Sequence, residues 1–192
     1  TYDSRKVSKN YIFAALHGAN DEGGKYIKDA VSRGAAAVLT DDKEAVSDDA
    51  VYLISGDVSD SLGRIASRFY NEPSKKMKVF AVTGTNGKTT ITYLLEEIFK
   101  NANIKSGVIG TIFYRFADMK VNAPTTTPQS SDLHELLSKM KQLGADAVAM
   151  EVSSHGLAQN RISGCDIDAA IFTNLTRDHL DYHKSFENYF LA

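Results

Sequence analysis

The sequence predicts an α/β fold with two domains, the second built on a mainly parallel sheet. Three observations support this prediction. Short apolar segments alternate along the chain with segments whose apolar residues recur at helical spacing. Several predicted strands are apolar at nearly every position, which is typical of a parallel sheet covered on both faces. A polar, proline-containing stretch at residues 71–76 indicates a linker, so we expect domains at 1–77 and 78–192.

The first predicted domain is a small α/β unit. Its expected strands cover residues 11–15, 36–40 and 51–54, and its expected helices cover 26–33 and 60–70. The first helix ends at Gly34, a common helix-stop residue.

The second predicted domain has strands at residues 79–83, 107–111, 147–152 and 169–173. An irregular or hairpin insertion is expected at 114–123, and the prolines at 124 and 128 exclude a helix interior between them. A helix from Thr89 should bury Ile91, Leu94, Leu95, Ile98 and Phe99. A second, capped by Ser131 and running to Gly144, should bury Leu133, Leu136, Leu137, Met140 and Leu143.

A glycine-rich turn joins the first strand and first helix of this second domain. Residues 84–89 are GTNGKT, and two glycines at a helix N-terminus let a phosphate approach bare backbone amides. Lys88 can reach the β- and γ-phosphates, and the Thr89 hydroxyl can bind Mg²⁺. Val82 stands where the longer P-loop pattern has its first glycine, which leaves open a plain glycine turn before a lysine-bearing helix. The context favours a nucleoside triphosphate site in a P-loop, Rossmann-like domain.

Composition excludes several classes of protein. The net charge is −2 and no long basic block occurs, so nucleic acid is not the expected partner. Cys165 is the one cysteine, which excludes an internal disulfide and suits a reducing cytoplasm. No apolar run approaches the roughly 18 residues of a membrane span, and the N-terminus lacks a signal-peptide pattern. We expect a soluble, cytoplasmic protein.

Three segments place polar groups after predicted strands: residues 84–89, 151–155 and 174–181. In open α/β sheets the ligands bind beyond the carboxyl ends of the strands, so we expect these segments to converge. Glu151 occupies the position of a strand-end carboxylate that holds Mg²⁺, although a solvated glutamate is the plainer alternative. His179 and His183 are four residues apart, but a zinc site is disfavoured because the neighbouring oxygen ligands suit a harder cation. We expect His183 at the surface or at a helix cap.

Three motifs together carry a family resemblance. GTNGKTT at 84–90, EVSSHGL at 151–157 and NLTRDHLDYH at 174–183 resemble the Mur ligases of peptidoglycan synthesis, and most of all the tripeptide-forming type. DSRKV at 3–7, YIFAA at 11–15 and the glycine-containing stretch 18–23 look like the uridine-binding domain of that family. The resemblance covers nearly the whole chain.

The resemblance implies an ATP- and Mg²⁺-dependent ligase. It would add a diamino acid, meso-diaminopimelate or L-lysine, to UDP-N-acetylmuramoyl-L-alanyl-D-glutamate through an acyl phosphate. Positive charge from Mg²⁺ and Lys88 would help to bring the two anions together. These implied ligands are its expected partners.

The resemblance also implies roles for individual residues. The ATP-binding positions would be Gly84, Thr85, Asn86, Gly87, Lys88, Thr89 and Thr90. Thr89 and Glu151 resemble the ligands of one magnesium ion, His179 resembles a ligand of a second, and Asn174 resembles the support residue beside it. The substrate-binding positions would be Ser4, Ala19, Asn20, Asp21, Thr126, Thr127, Ser153, Gln159 and Arg161. Arg161 has an independent rationale, since a guanidinium can bind a carboxylate or phosphate with two hydrogen bonds.

Two features of the family are expected to lie outside this chain: a carbamoylated lysine that holds the second magnesium, and a C-terminal domain. The chain lacks an initiator methionine and stops inside an apparent helix at Ala192, so we expect a fragment that binds ligands but turns over poorly. The alternatives are another Mur-type ligase, either D-alanyl-D-alanine-adding or folylpolyglutamate-like, and a P-loop kinase or nucleotide-binding module. The kinase or module would leave residues 1–77 unexplained.

Overall fold

The structure is a computed structural model that describes residues 1–18 and 22–192. The chain divides into two compact units, Thr1–Leu62 and Gly63–Ala192, and each is described by itself. The domain boundary between residues 77 and 78 that the sequence suggests stays a prediction.

The smaller unit contains a three-stranded parallel sheet in the order β1-β2-β3. The strands are β1 (Tyr11–Ala14), β2 (Ala35–Thr40) and β3 (Val51–Ile54), and helix α1 covers Ile27–Ser32. Short 3-10 turns lie at Ser4–Lys6 and Gly23–Tyr26. The core of this unit consists of the buried apolar side chains Val7, Phe13, Ala15, Ile27, Ala30, Ala35 and Val38.

A six-stranded sheet forms the centre of the larger unit, in the order β7-β6-β5-β8-β4-β9. Its strands are β4 (Lys78–Thr83), β5 (Ser106–Ile109), β6 (Phe113–Phe116), β7 (Met119–Asn122), β8 (Ala147–Glu151) and β9 (Ala169–Phe172). Strands β5, β8, β4 and β9 are parallel, whereas β6 and β7 form an antiparallel hairpin at one edge. The predicted α/β fold with a mainly parallel sheet is confirmed.

Helices α2 to α7 cover Val58–Phe69, Lys88–Asn101, Ser130–Gln142, Ser154–Ala158, Leu180–His183 and Phe186–Leu191. Buried side chains from strands β4, β5, β6 and β8 and from helix α4 form the main core of the larger unit. Strand β8 is buried at every position, since it lies between β5 and β4. This burial brings Glu151, the last residue of β8, into the interior.

Several sequence predictions about the helices were wrong. Helix α4 begins at Ser130 with Gln129 as its N-cap, so Ser131 does not cap it. Leu143, the C-cap of α4, is 58% exposed. Leu94 and Ile98 of α3 are 54% and 60% exposed, so only part of its apolar face packs on the sheet.

The stretch predicted as a polar linker contains a 3-10 turn at Pro73–Lys76. Pro73 starts this turn, where its fixed φ angle and missing N–H are compatible with helical geometry. Pro73 and Ser74 are buried, and the Ser74 hydroxyl accepts a hydrogen bond of 3.0 Å from the Asp166 amide. This segment therefore packs as part of the larger unit.

None of the helices in the described part of the chain is long and apolar enough to cross a membrane.

Candidate functional site

The glycine turn between β4 and α3 depends on backbone geometry that other residues would strain. Gly84 and Gly87 have φ angles of +123° and +89°. A Cβ atom at Gly84 would collide with the Thr173 hydroxyl and would lie 2.7 Å from the Asn174 carbonyl oxygen. The turn therefore passes directly against the segment that follows β9. Thr89 and Thr90 lie in the first turn of α3, half-buried and exposed respectively.

Lys88, the first residue of α3, folds back over this turn. Its Nζ donates hydrogen bonds of 2.6 Å to the Gly84 carbonyl and 2.9 Å to the Thr85 carbonyl. Burial lowers the pKa of Lys88, whereas the nearby negative charges of Glu151 and Asp178 oppose that shift. The ammonium group is thus held inside the turn, in the field of two carboxylates.

Asn174, which follows β9, holds the turn at Asn86. Its Oδ1 accepts a hydrogen bond of 3.1 Å from the Asn86 amide, and its Nδ2 donates one of 3.1 Å to the Asn86 carbonyl. The Thr173 hydroxyl donates to the same carbonyl at 2.7 Å. The side chain of Asn174 therefore holds the glycine turn through both the N–H and the C=O group of Asn86.

Thr85 connects the turn to two further segments. Its amide donates to the Asn174 carbonyl at 2.9 Å, and its hydroxyl accepts from the Thr176 amide at 2.9 Å. The same hydroxyl lies 2.9 Å from the hydroxyl of Tyr189 in α7, and both side chains are buried. Tyr189 was not predicted as a site residue, because an aromatic side chain in an amphipathic pattern indicates core packing.

Glu151 is a carboxylate at the end of the buried strand β8, and it is only 1% exposed. Both of its oxygens accept hydrogen bonds from Thr111: Oε1 from the amide at 3.0 Å and Oε2 from the hydroxyl at 2.9 Å. A Cβ atom at Gly110 would collide with Oε1, so the glycine leaves the space that the carboxylate occupies. Sequence reasoning missed Thr111 as a site residue, because the apolar pattern indicated only that it was the last residue of a strand at 107–111, whereas β5 ends at Ile109.

The predicted substrate residues of the larger unit form one connected network. The Thr127 hydroxyl donates to the Glu151 carbonyl at 3.1 Å and accepts from the Ser153 amide at 2.9 Å. The Arg161 guanidinium donates to the Thr127 carbonyl at 2.9 Å and to Gln159 Oε1 at 3.0 and 2.6 Å. The Thr126 hydroxyl lies 3.1 Å from that of Thr111. The segment 125–127 is thereby connected to Glu151 through both the backbone and the side chain of the glutamate.

Three histidines lie together near α6. The ring of His155 is 4.8 Å from that of His179 and 5.7 Å from that of His183. Burial is the main cause that lowers the pKa of His155, and the two neighbouring imidazoles add to it. His179 is the N-cap of α6 with φ +51°, and its Nε2 lies 3.6 Å from Asp178 Oδ2.

The expectation of a surface or cap position for His183 was wrong. Its side chain is buried, and its Nε2 lies 2.9 Å from the Ser154 hydroxyl, because α7 packs over it through Tyr189. Within residues 1–18 and 22–192, no group of three or more histidine, cysteine or acidic side chains is arranged to hold a metal ion.

The remaining predicted residues lie in the smaller unit. Ser4 is buried. Two side-chain hydrogen bonds lower the pKa of Asp29, and the one from Ser4 has a larger effect than the one from Arg33. Ala19, Asn20 and Asp21 lie outside the described residues.

Comparison with known protein families identifies both halves of the chain. The Mur ligase middle domain matches residues 82–192, and the sequence model described as the Mur ligase family catalytic domain matches residues 1–70.

Curated relatives and solved structures agree with these matches. UDP-N-acetylmuramoyl-L-alanyl-D-glutamate--2,6-diaminopimelate ligase of Lawsonia intracellularis is 50% identical over 99% of the chain, and the Geobacter metallireducens protein of the same name is 46% identical over 98%. A solved structure of a ligase of that name has 32% identity and a TM-score of 0.81 over 98% of the chain. The MurF ligase from Thermotoga maritima, solved with ADP, shares the fold at 23% identity and a TM-score of 0.64. The chain spans 40% and 37% of the length of these two curated relatives.

Proposed function

The chain belongs to the Mur ligase family, and we propose that its complete protein is an ATP-dependent ligase that adds 2,6-diaminopimelate to UDP-N-acetylmuramoyl-L-alanyl-D-glutamate. The choice of diaminopimelate is supported by the names of the relatives described above. A cytoplasmic location is part of this proposal, since one unpaired cysteine suits a reducing compartment.

One observation carries the proposal. Glu151, the predicted magnesium ligand, shares one network of hydrogen bonds with residues predicted to bind the sugar-nucleotide acid, at the end of the strand that neighbours β4. Glu151 of β8 is bonded to Thr127 directly and to Thr126 through Thr111. The glycine turn follows β4, which pairs with β8. In open parallel sheets, ligands bind beyond these carboxyl ends of the strands.

The residues present fit a magnesium ion beside the triphosphate. Mg²⁺ prefers oxygen ligands, and the Glu151 carboxylate keeps further lone pairs because each of its oxygens accepts one hydrogen bond from Thr111. Gly110 leaves the space for this carboxylate, and the hydroxyl of Thr89 would be the second protein ligand. When bound, the ion would neutralise charge on the β- and γ-phosphates. His179 would contribute to a second magnesium site.

The chain's own residues support the reaction mainly through position and charge. A carboxylate reacts poorly with an amine, because one of its oxygens would have to leave as an oxide ion, which is a very poor leaving group. Transfer of the γ-phosphoryl group to the D-glutamate carboxylate yields ADP and an acyl phosphate. The amine then attacks the carbonyl carbon, the bond to the phosphate oxygen breaks, and phosphate and a proton leave. The positive charge of Lys88 would bring the two anions together, and Arg161 would orient the acceptor.

The test uses the full-length protein and follows phosphate release from ATP. We expect release only when UDP-N-acetylmuramoyl-L-alanyl-D-glutamate and diaminopimelate are both present. Release with L-lysine would change the assigned amino acid, and release with D-alanyl-D-alanine would indicate another Mur-type ligase. Release with the muramoyl substrate omitted would indicate a kinase or a nucleotide-binding ATPase and would overturn the proposal.

A variant of Lys88 separates the two binding sites. Lys88→Ala should abolish phosphate release while the muramoyl substrate still binds in calorimetry, because the hydrogen bonds of Lys88 Nζ go to carbonyls of the glycine turn and not to the predicted muramoyl-binding residues. Lys76→Ala, at an exposed lysine of the same unit, is the matched control. Equal loss of nucleotide and muramoyl-substrate binding in Lys88→Ala would contradict two separate sites.

A further inference from the structure

Thr111 contacts both the proposed magnesium-binding part and the proposed muramoyl-binding part of the site. On one side, its amide and hydroxyl contact the two oxygens of Glu151 at 3.0 and 2.9 Å. On the other side, its hydroxyl lies 3.1 Å from the hydroxyl of Thr126. Glu151 is the proposed magnesium ligand, and Thr126 belongs with Thr127 to the proposed muramoyl-binding segment, residues 126–127.

The chemistry of hydroxyl groups fixes the direction of these hydrogen bonds. An ionised carboxylate can only accept, so the single proton of the Thr111 hydroxyl is donated to Glu151 Oε2. Towards Thr126 the Thr111 oxygen can therefore only accept. It follows that the Thr126 hydroxyl donates its own proton to Thr111. The order of donation is Thr126 to Thr111 to Glu151.

We propose that Thr111 is a positioning residue that couples the muramoyl-binding segment to the magnesium-binding carboxylate, with Thr126 as its donor. This inference rests on the proposed function. Since the Thr126 proton is already used, the hydroxyl presents only lone pairs to a ligand. Thr126 should therefore accept a hydrogen bond from a substrate N–H or O–H group, and it cannot donate one to a carboxylate or phosphate oxygen.

The burial of Glu151 makes the orientation of its carboxylate depend on the hydrogen bonds from Thr111. Glu151 is almost completely buried, so water cannot easily replace a lost donor on its oxygens. The backbone of Glu151 is held independently by Thr127, which leaves the orientation of the carboxylate dependent on Thr111. Groups that orient a metal ligand in this way typically change metal affinity or activity by about 10- to 100-fold when they are removed.

The experiment measures how the binding of a nonhydrolysable ATP analogue to the full-length protein depends on Mg²⁺, with no muramoyl substrate present. Thr111→Val keeps the size and the amide but removes the hydroxyl. We expect it to weaken analogue binding with Mg²⁺ by about 10-fold, and to leave binding without Mg²⁺ unchanged. Thr111→Ser should restore the Mg²⁺ dependence, since the hydroxyl is present again.

Thr126→Val distinguishes the coupling from a simple contact between Thr126 and the substrate. Such a contact could not change the Mg²⁺ dependence of analogue binding when the muramoyl substrate is absent. The coupling predicts that Mg²⁺ strengthens analogue binding less in this variant than in the wild-type protein. In the double variant with Thr111→Val, the two effects on Mg²⁺-dependent binding should be less than additive. Thr125→Val is the matched control, because the Thr125 hydroxyl donates to the Thr127 carbonyl instead. Thermal melting with each variant checks that the fold persists.

The outcomes separate the inference from the proposed function. An unchanged Mg²⁺ dependence in Thr111→Val or in Thr126→Val overturns the coupling while the ligase assignment stands. If the wild-type protein binds the analogue equally with and without Mg²⁺, and Glu151→Gln has no effect, the proposed magnesium site itself fails.

Discussion

The hydroxyl oxygens of Thr85 and Tyr189 lie 2.9 Å apart in the interior of the larger unit. One belongs to the glycine turn and the other to α7, the last helix of the chain. Tyr189 also packs its ring against that of His183 at 5.2 Å. A single side chain thus connects the turn to the segment that carries the histidines.

This contact can be tested by a double-mutant cycle. Tyr189→Phe should lower the free energy of unfolding by about 1 kcal/mol, since it removes one buried hydrogen bond and keeps the ring. Thr85→Val should cost more, because it also leaves the Thr176 amide without its acceptor. Urea unfolding followed by circular dichroism gives both values. Purely additive costs in the double variant would show that the two hydroxyls do not interact.

The glycines of the turn should differ in their tolerance of a methyl group. Gly87→Ala should cost about 1–2 kcal/mol, because its φ is positive but its surroundings are open. Gly84→Ala should cost more, since its Cβ would also collide with Thr173 and Asn174. Gly56→Ala has open space and no positive φ, and is the control for urea unfolding. Equal costs at Gly84 and Gly87 would contradict the close approach.

His134 should make the stability of the larger unit depend on pH. It is fully buried in α4, its Nε2 lies 2.9 Å from the Ser163 carbonyl, and its Nδ1 lacks a partner among the described residues. Burial lowers the pKa of His134 below its ordinary value of 6.5. The unfolded chain therefore binds the proton more readily, and the free energy of unfolding should fall as the pH decreases below 6.5.

Urea unfolding between neutral and mildly acidic pH measures this effect. His134→Gln, whose amide can still donate to Ser163, should flatten the dependence. NMR of the imidazole should show the proton on Nε2, because a carbonyl oxygen can only accept. An unchanged slope in the variant would assign the pH dependence to other groups.

Cys165 should react slowly with thiol reagents in the folded protein. Burial raises the pKa of its thiol to about 12, so little thiolate exists at pH 8. Modification with a disulfide reagent should be slow under native conditions and fast in urea. The chain has one cysteine, so Cys165→Ser gives a blank. Rapid reaction in the native protein would show that the sulfur is accessible.

The sequence alone predicted the parts of the site that depend on local pattern. The glycine turn, the strand-end Glu151 and Asn174 after β9 follow from the alternation of strands and helices, and β8, β4 and β9 are neighbours in the sheet. The hydrogen bond from Thr127 to the Glu151 carbonyl depends on the path of a segment between two strands, which has no periodic signal. The hydrogen bonds from Thr111 to Glu151 likewise depend on the path of the chain after β5.

Predictions of burial failed where a neighbouring element decides the outcome. Hydrophobic spacing placed Leu94 and Ile98 of α3 on a buried face, but both side chains are more than half exposed. His183 is polar and was expected outside, yet α7 packs over it and Ser154 provides a hydrogen bond. Residue type indicates a preference for burial, whereas the packing of later segments determines it.

The bonds between Asn86 and Asn174 connect positions 88 residues apart. A chain synthesised only as far as β8 would therefore contain the glycine turn but not the side chain that holds Asn86. During refolding, the turn should reach its final geometry only once β9 has paired with β4. A chain truncated before β9 would keep the residues of the glycine turn but lose both hydrogen bonds at Asn86.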